Sequence, residues 1–411
     1  MKTKIVVVIG LALCTMLLVS PALASDAGTL EIYGNANEDD TIDMRDLTYV
    51  KLIFFGKKPE TELADAKYDG KINPLDFIQI KLIIVGKEKE LTLVDANGED
   101  VTISMPLEKI VVLNTDTAEA IRALGAKDRI IGVTAGMTDD YVFFPDLCAK
   151  PSVGKWSSPD VEAILALDPD SVFAFGQWPA PEKLEDKLKG TDISVVRLDF
   201  YRLETLRNEM NMLGYLLVEE ENARGYIEWY DEYVDEIDEK ISGLSEEEKP
   251  RVFIDSGKGE TERKTRAEGT GSHDLCVRAG GINIAEDEGE RYFTVQVEWI
   301  LDQNPAIIFR PSYAGGFESD DVSGMKEQYD GIIGLPGFAE GVDAVINDSV
   351  YVIDDSVMFA PQQPVSLAYL AKWFHPDVFK DLDPQAIQQE YVDEFCGIDF
   401  DVGEHCVFVY P

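Results

Sequence analysis

Two twelve-residue loops carry side-chain oxygens at the spacing a hard cation needs. In the first, Asn35, Asn37, Asp39, Asp43 and Asp46 fall at positions 1, 3, 5, 9 and 12, with the Thr41 carbonyl at position 7. In the second, Asp65, Asp69, Asn73 and Asp76 fall at positions 1, 5, 9 and 12, with the Lys71 carbonyl at position 7. A chain that bends round Ca²⁺ supplies its oxygens in this order, position 9 often acting through water. Up to two Ca²⁺ ions are therefore expected. Two residues depart from the pattern. Lys67 stands where a ligand belongs, and Asp40 replaces the glycine that eases the sharp turn, which the second loop keeps as Gly70. The second loop thus lacks one ligand, and the first is expected to carry backbone strain. Each loop leads into an apolar helix, Leu47 to Phe55 and Phe77 to Val85, that stops at Gly56 or Gly86.

A second pair of acids is also duplicated. Residues 159–173 and 295–309 each read as a glutamate on a short helix, an Asx-Pro turn, then an apolar run fit for a buried strand. Glu162 and Glu298 hold equivalent places, as in two lobes of similar α/β design that a two-fold partner could grip. The three histidines, His273, His375 and His405, have no partner at metal-ligand spacing, so a bare transition metal is not the expected ligand.

The elements that must position these residues alternate. Leu91 to Ile103 reads as a hairpin about Asn97-Gly98. Strands at Ile110 to Leu113 and Ile130 to Val133 flank a helix from Thr117 to Leu124, which implies a parallel sheet with its ligands at the carboxyl ends of the strands. From Leu203 to Leu244 the apolar residues read as one helix, roughly 60 Å long at 1.5 Å per residue. A new strand, Arg251 to Asp255, opens a second lobe. Met1 to Ala24 has the basic start, apolar centre and small-residue end of a cleaved export signal. A net charge of −41 repels nucleic acid and anionic lipid, so neither is an expected partner. Cys396 and Cys406 bracket a short loop, and an oxidising compartment would allow a disulfide there; Cys148 and Cys276 either pair or stay free.

On the strength of the doubled loops, residues 29–87 resemble the dockerin domain. The resemblance implies a small α-helical module that folds on Ca²⁺ and binds a cohesin domain, with Met44, Arg45, Pro74 and Leu75 helping to choose it. The run from Asn114 through Leu124-Gly125 to Val133, Val153-Gly154, both glutamate motifs and Ala279-Gly-Gly-Ile-Asn-Ile284 resembles the periplasmic-binding-protein family that captures iron–siderophore, haem and vitamin B12 complexes. That resemblance implies an α/β fold of class III, with an N-lobe at 90–202, a long rigid linking helix at 203–245 and a C-lobe at 249–411. It further implies delivery to an ABC importer, with Glu162 and Glu298 docking on the permease. Large metal chelates call for aromatic walls and a few cations. The candidates are Asn114, Thr115, Trp156, Trp178 and Tyr201 in the first lobe. Arg263, Lys264, Arg266, Tyr292, Arg310, Tyr313 and Phe359 are those of the second. The expected function is an exported, non-enzymatic receptor for a metal chelate. The alternative is a dockerin-bearing secreted polysaccharide-active enzyme, although no nucleophile motif, metal triad or phosphate loop is found in the chain.

Overall fold

Asp43 and Asn73 open two helices in the same way. Each side chain accepts a backbone N–H of the first turn, while Asp46 or Asp76 reaches back to the cap, which closes a capping box at both α1 (Met44–Phe54) and α2 (Pro74–Ile84). The duplication in sequence is thus a duplication in structure. The computed structural model describes residues 28–286, 290–405 and 407–411; the export signal expected at 1–24 lies outside them. Among the described residues no helix is long and apolar enough to cross a membrane.

The two loop–helix units do not stand apart from the rest. Ile32 bridges Leu93 of β1 (Glu90–Val94), and the N–H of Tyr33 donates to the Thr92 carbonyl at 2.9 Å. Strand β1 pairs antiparallel with β2 (Asp100–Ser104), as the Asn97-Gly98 turn predicts. Ile42, Leu47, Val50, Ile80 and Ile83 share one buried cluster with Leu91, Leu93 and Ile103. Burying these apolar surfaces together is the main force that fixes the module to the lobe.

In the N-lobe, β3 (Ile110–Val112), β4 (Ile130–Gly132), β5 (Ser171–Ala174) and β6 (Ser194–Arg197) form a sheet in the order β4-β3-β5-β6, all parallel. Helix α3 (Thr115–Ala123) follows β3, and α4 (Val161–Leu167) precedes β5. Successive strand residues serve opposite faces: Val111 and Val172 enter one cluster, Val112 and Phe173 another.

The expected single long helix is a correction. The chain forms α5 (Leu203–Leu217) and α6 (Glu220–Ser242), broken at Val218, whose φ is +56°. The two fold back on each other: Arg207 Nε lies 2.9 Å from Asp231 Oδ1, and the Tyr230 hydroxyl donates to the Leu203 carbonyl at 3.2 Å. A Cβ at Gly214 would stand 2.6 Å from the Ala223 Cβ, so glycine is what allows this crossing. Both helices carry an apolar stripe, and Leu213, Leu217, Tyr226 and Tyr230 are buried.

In the C-lobe, β7 (Arg251–Lys258), β8 (Glu262–Arg266), β9 (Ile282–Asn283), β10 (Tyr292–Gln296), β11 (Ile307–Ser312), β12 (Val350–Asp354) and β13 (Val409–Tyr410) make a mixed sheet. Its order is β10-β8-β7-β11-β12-β13, with β9 also beside β7. Helix α7 (Gly271–Arg278) leads into β9, and α8 (Val297–Gln303) leads into β11. Strand β12 passes directly into α9 (Asp355–Met358). The disulfide expected between Cys396 and Cys406 is also corrected. Cys396 is a free, buried thiol whose sulfur accepts from Arg122 Nη2 at 3.3 Å, while Cys406 lies outside the described residues. Cys148 and Cys276 are free as well.

The cleft between the lobes

A cavity of about 940 Å³ opens between the carboxyl ends of the two sheets, within the size range of small-molecule sites. Its N-lobe wall is aromatic. Trp156 meets Trp178 edge-on at 6.3 Å and Phe175 at 6.1 Å, and Phe175 meets Tyr201 at 5.8 Å. Trp156 and Trp178 remain 47% and 53% exposed, so packing within the fold does not account for them. Tyr292 and Tyr313 stand open on the opposite rim, with Phe359 below. Contacts between the lobes include two beside these walls. Glu318 Oε1 accepts from the backbone N–H groups of Val142 (2.8 Å) and Phe143 (3.0 Å), and Phe143 stacks on Phe317 at 4.1 Å. At the second place a Cβ on Gly271 would lie 2.9 Å from the Tyr201 carbonyl oxygen.

Of the expected contact residues, the cleft gathers Asn114, Thr115, Trp156, Trp178, Tyr201, Arg266, Tyr292, Tyr313 and Phe359. Asn114 has a structural role there: its buried Oδ1 caps α3 by accepting from the Thr117 N–H at 2.7 Å. Arg263, Lys264 and Arg310 are corrections. They do not line the cavity. Residues 263–266 form strand β8 and not a loop, so their side chains alternate. Arg263 turns inward and grips the buried Asp255 through Nε (2.8 Å) and Nη2 (2.6 Å); Lys264 turns out to solvent. Arg310 Nη1 shares the same carboxylate at 3.3 Å. One buried acid thus claims two of the cations expected to meet a ligand.

Sequence reasoning missed the acids of the cleft. Asp116 follows β3, Asp199 follows β6 and Asp355 follows β12, so the rule that places ligands at strand ends would have found them. Burial pushes the Asp116 carboxyl up to about 6, with the Asp199 charge adding to it. Burial also pushes Asp355 up to about 7 against the opposing influence of Arg266, and Asp140 to about 6 beside Glu318 and Asp139. Glu119, at about 7, is held by Gln362 Nε2 (2.9 Å) and the Tyr391 hydroxyl (2.8 Å).

The two glutamate motifs are superposable in construction. Glu162 and Glu298 each hold the second position of a seven-residue helix, α4 or α8, and each helix ends in a left-handed residue, Asp168 (φ +49°) or Asn304 (φ +45°). Both glutamates are exposed and neither lines the cleft.

The expected calcium loops have mixed chemistry. In the first, Asn35 Oδ1 is buried without a donor, and Asp46 is wholly buried, which suits a cation. Arg45, however, pairs with both Asp39 and Asp43 at 2.9 Å. Asp40 does not adopt a positive φ; its carbonyl instead accepts from Asn211 Nδ2 of α5 at 2.5 Å. In the second loop, Lys67 is drawn away to Glu90 Oε2 at 3.3 Å. Asp65 gathers the N–H groups of Asp69 and Gly70, while Asp76 gathers those of Lys67 and Asn73. Among the described residues no three Asp, Glu, His or Cys side chains converge as a metal cage, so any cation here must draw on the amide and carbonyl oxygens as well.

The family model for periplasmic binding protein matches residues 110–357, more than half the chain. The chain belongs to the periplasmic binding protein family. Among curated proteins, this binding protein is similar to the vitamin B12-binding proteins of Yersinia pestis and Yersinia pseudotuberculosis, 24% identical over 260 residues, covering 62% of this chain and 84% of theirs. Among solved structures, the TroA-like periplasmic binding protein FepB from Veillonella parvula aligns with a TM-score of 0.65 at 22% identity, covering 78% of this chain and 99% of that one. The Helicobacter pylori CeuE structure with a Ni-His complex aligns with a TM-score of 0.58 at 20% identity, covering 77% and 98%. These structural likenesses establish the fold of the binding protein.

Proposed function

We propose that this protein is the exported substrate-binding component of an ABC importer and captures a preformed metal chelate in the inter-lobe cleft. The carrying observation is the row of aromatics, half-exposed at Trp178 and Trp156 and continued by the more buried Phe175 and Tyr201, facing Tyr292 and Tyr313 across a cavity of about 940 Å³. A flat or globular chelate buries its apolar faces on such walls. The names of the Yersinia and Helicobacter relatives, which specify vitamin B12 and a nickel–histidine complex, favour this ligand class. Glu162 and Glu298 then serve as the two permease-docking acids, one on each lobe. The relatives are binding proteins by name, which disfavours the polysaccharide-active enzyme. Titration of the apoprotein with cyanocobalamin and ferric hydroxamates should give saturable tryptophan quenching with no turnover of the chelate. Absence of quenching by every chelate would overturn the reading.

The N-terminal module is read as a dockerin-like unit holding Ca²⁺ through Asp65, Asp69, Asn73, Asp76 and the Lys71 carbonyl. A second, weaker site in the first loop must compete with Arg45. Its exposed apolar side chains, Met44, Phe55, Leu75, Ile78 and Val85, supply the face a cohesin would cover. Calorimetry should register Ca²⁺ binding that Asp76→Asn abolishes at the stronger site; an unchanged isotherm would refute the calcium assignment.

A further inference from the structure

The cavity is defined by its aromatic walls, but its charges say which chelate those walls accept. Seven carboxylates line it against three cations, Lys155, Arg266 and Arg291. Three of the acids are already satisfied. Glu119 is held by Gln362 and Tyr391, Asp354 accepts from the N–H groups of Gly315 and Ser356, and Glu318 takes the two amides described above. Arg266 is likewise engaged, donating to Ser256 Oγ (3.0 Å) and Ser272 Oγ (2.8 Å).

A fourth, Asp199, accepts from the Gly176 N–H at 2.7 Å. Asp116, Asp140 and Asp355 remain, and of these Asp116 and Asp355 come from opposite lobes. Asp116 lies in the first turn of α3 in the N-lobe and Asp355 in the first turn of α9 in the C-lobe; both line the cavity, and the Asp116 charge acts on Asp355 across it. No ion pair holds either among the described residues: Asp116 accepts from the Thr115 hydroxyl at 3.2 Å, and Asp355 Oδ1 is buried with no donor. A desolvated carboxylate oxygen without a donor is costly, and a ligand N–H placed against it removes that cost. A carboxylate or catecholate rim would add like charge at the same point and raise the cost further.

We propose that the cleft selects a metal chelate whose edge carries N–H donors, a protonated amine or primary amides, set between Asp116 and Asp355, and rejects chelates with an anionic rim. This rests on the chelate-receptor reading and specifies its ligand. The test is tryptophan-quenching titration of the full mature chain with four probes. These are a ferric tris-hydroxamate bearing a terminal ammonium, its N-acetylated counterpart, cyanocobalamin as the amide-bearing probe, and a ferric tris-catecholate trianion.

At least one N–H-bearing probe should bind more than about tenfold tighter than the trianion, and that margin should shrink by about tenfold in D116N/D355N. If the donor is an amine, acetylation alone removes about tenfold; if it is an amide, cyanocobalamin binds tightest and acetylation changes little. Tightest binding of the trianion, or an unchanged preference in the double variant, overturns the proposal while leaving the receptor reading intact. Failure of all four probes to bind overturns the receptor reading, and the proposal with it. Should the double variant not fold, Asp116→Asn alone, on the half-buried rim, must still narrow the margin.

Discussion

Asp355 sits where the C-lobe sheet meets the cleft, and its protonation should be visible in the stability of the empty protein. Burial raises its carboxyl to about 7; Arg266 and the Tyr313 hydroxyl pull the other way, and Asp354 and Asp116 reinforce the rise. An unfolded chain returns it to roughly 3.9. The folded state therefore holds the proton more tightly. The stabilisation this gives is complete below about pH 4 and is lost as pH rises through about 7. Melting temperature of the apoprotein should fall between pH 5 and pH 8, and Asp355→Asn should flatten that slope. Trp156 carries a second residue-scale expectation. Replacing it with alanine removes one edge of the aromatic wall without opening a core cavity, since the ring is 47% exposed. Chelate affinity should drop by about 1–3 kcal/mol while the denaturation midpoint holds, as paired calorimetric and urea titrations would record.

At the scale of elements, the hairpin of α5 and α6 replaces the rod that the apolar periodicity predicts. Gly214→Ala places a Cβ 2.6 Å from that of Ala223 and should destabilise the fold by about 1–3 kcal/mol in urea unfolding. The same α5 anchors the N-terminal module. The Tyr215 hydroxyl accepts the Ile42 N–H at 2.9 Å and meets the Thr41 hydroxyl at 3.1 Å, while Arg207 lies 3.5 Å from Asp40. Asp40, which stands where the expected first calcium loop would carry a glycine, thus faces α5 as part of this contact. Tyr215→Phe strands the buried Ile42 N–H and should cost about 1–3 kcal/mol. The loss should appear first as faster hydrogen exchange in residues 39–43.

At the scale of the whole molecule, the cleft and the two acids proposed to dock on the permease are separate surfaces. Glu162 and Glu298 are exposed on α4 and α8, outside the cavity. The pair Glu162→Ala with Glu298→Ala should leave chelate affinity unchanged and abolish uptake through the importer in a reconstituted transport assay. Loss of affinity in that variant would contradict the separation. The continuous core from Leu30 and Ile83 to Leu93 also packs the N-terminal module onto the body of the protein. Whatever holds the module would hold the receptor in one orientation.

Local pattern was enough to read the doubled loops, the Asn97-Gly98 hairpin, the segments beyond β3 and β5 that carry Thr115 and Trp178, and the matched helices of Glu162 and Glu298. Each depends on residues close together in the chain, whose spacing alone dictates cap, turn or strand. Three outcomes required the tertiary structure. Leu203 to Leu244 breaks at Val218, whose left-handed backbone lets α5 and α6 pack on each other and on the lobes around them. Arg263 and Arg310 leave the cleft because Asp255, buried in the sheet, needs both cations. Asp116 and Asp355, 239 residues apart in the chain, become one site only when the lobes face each other, since charge acts through space and takes no account of sequence distance.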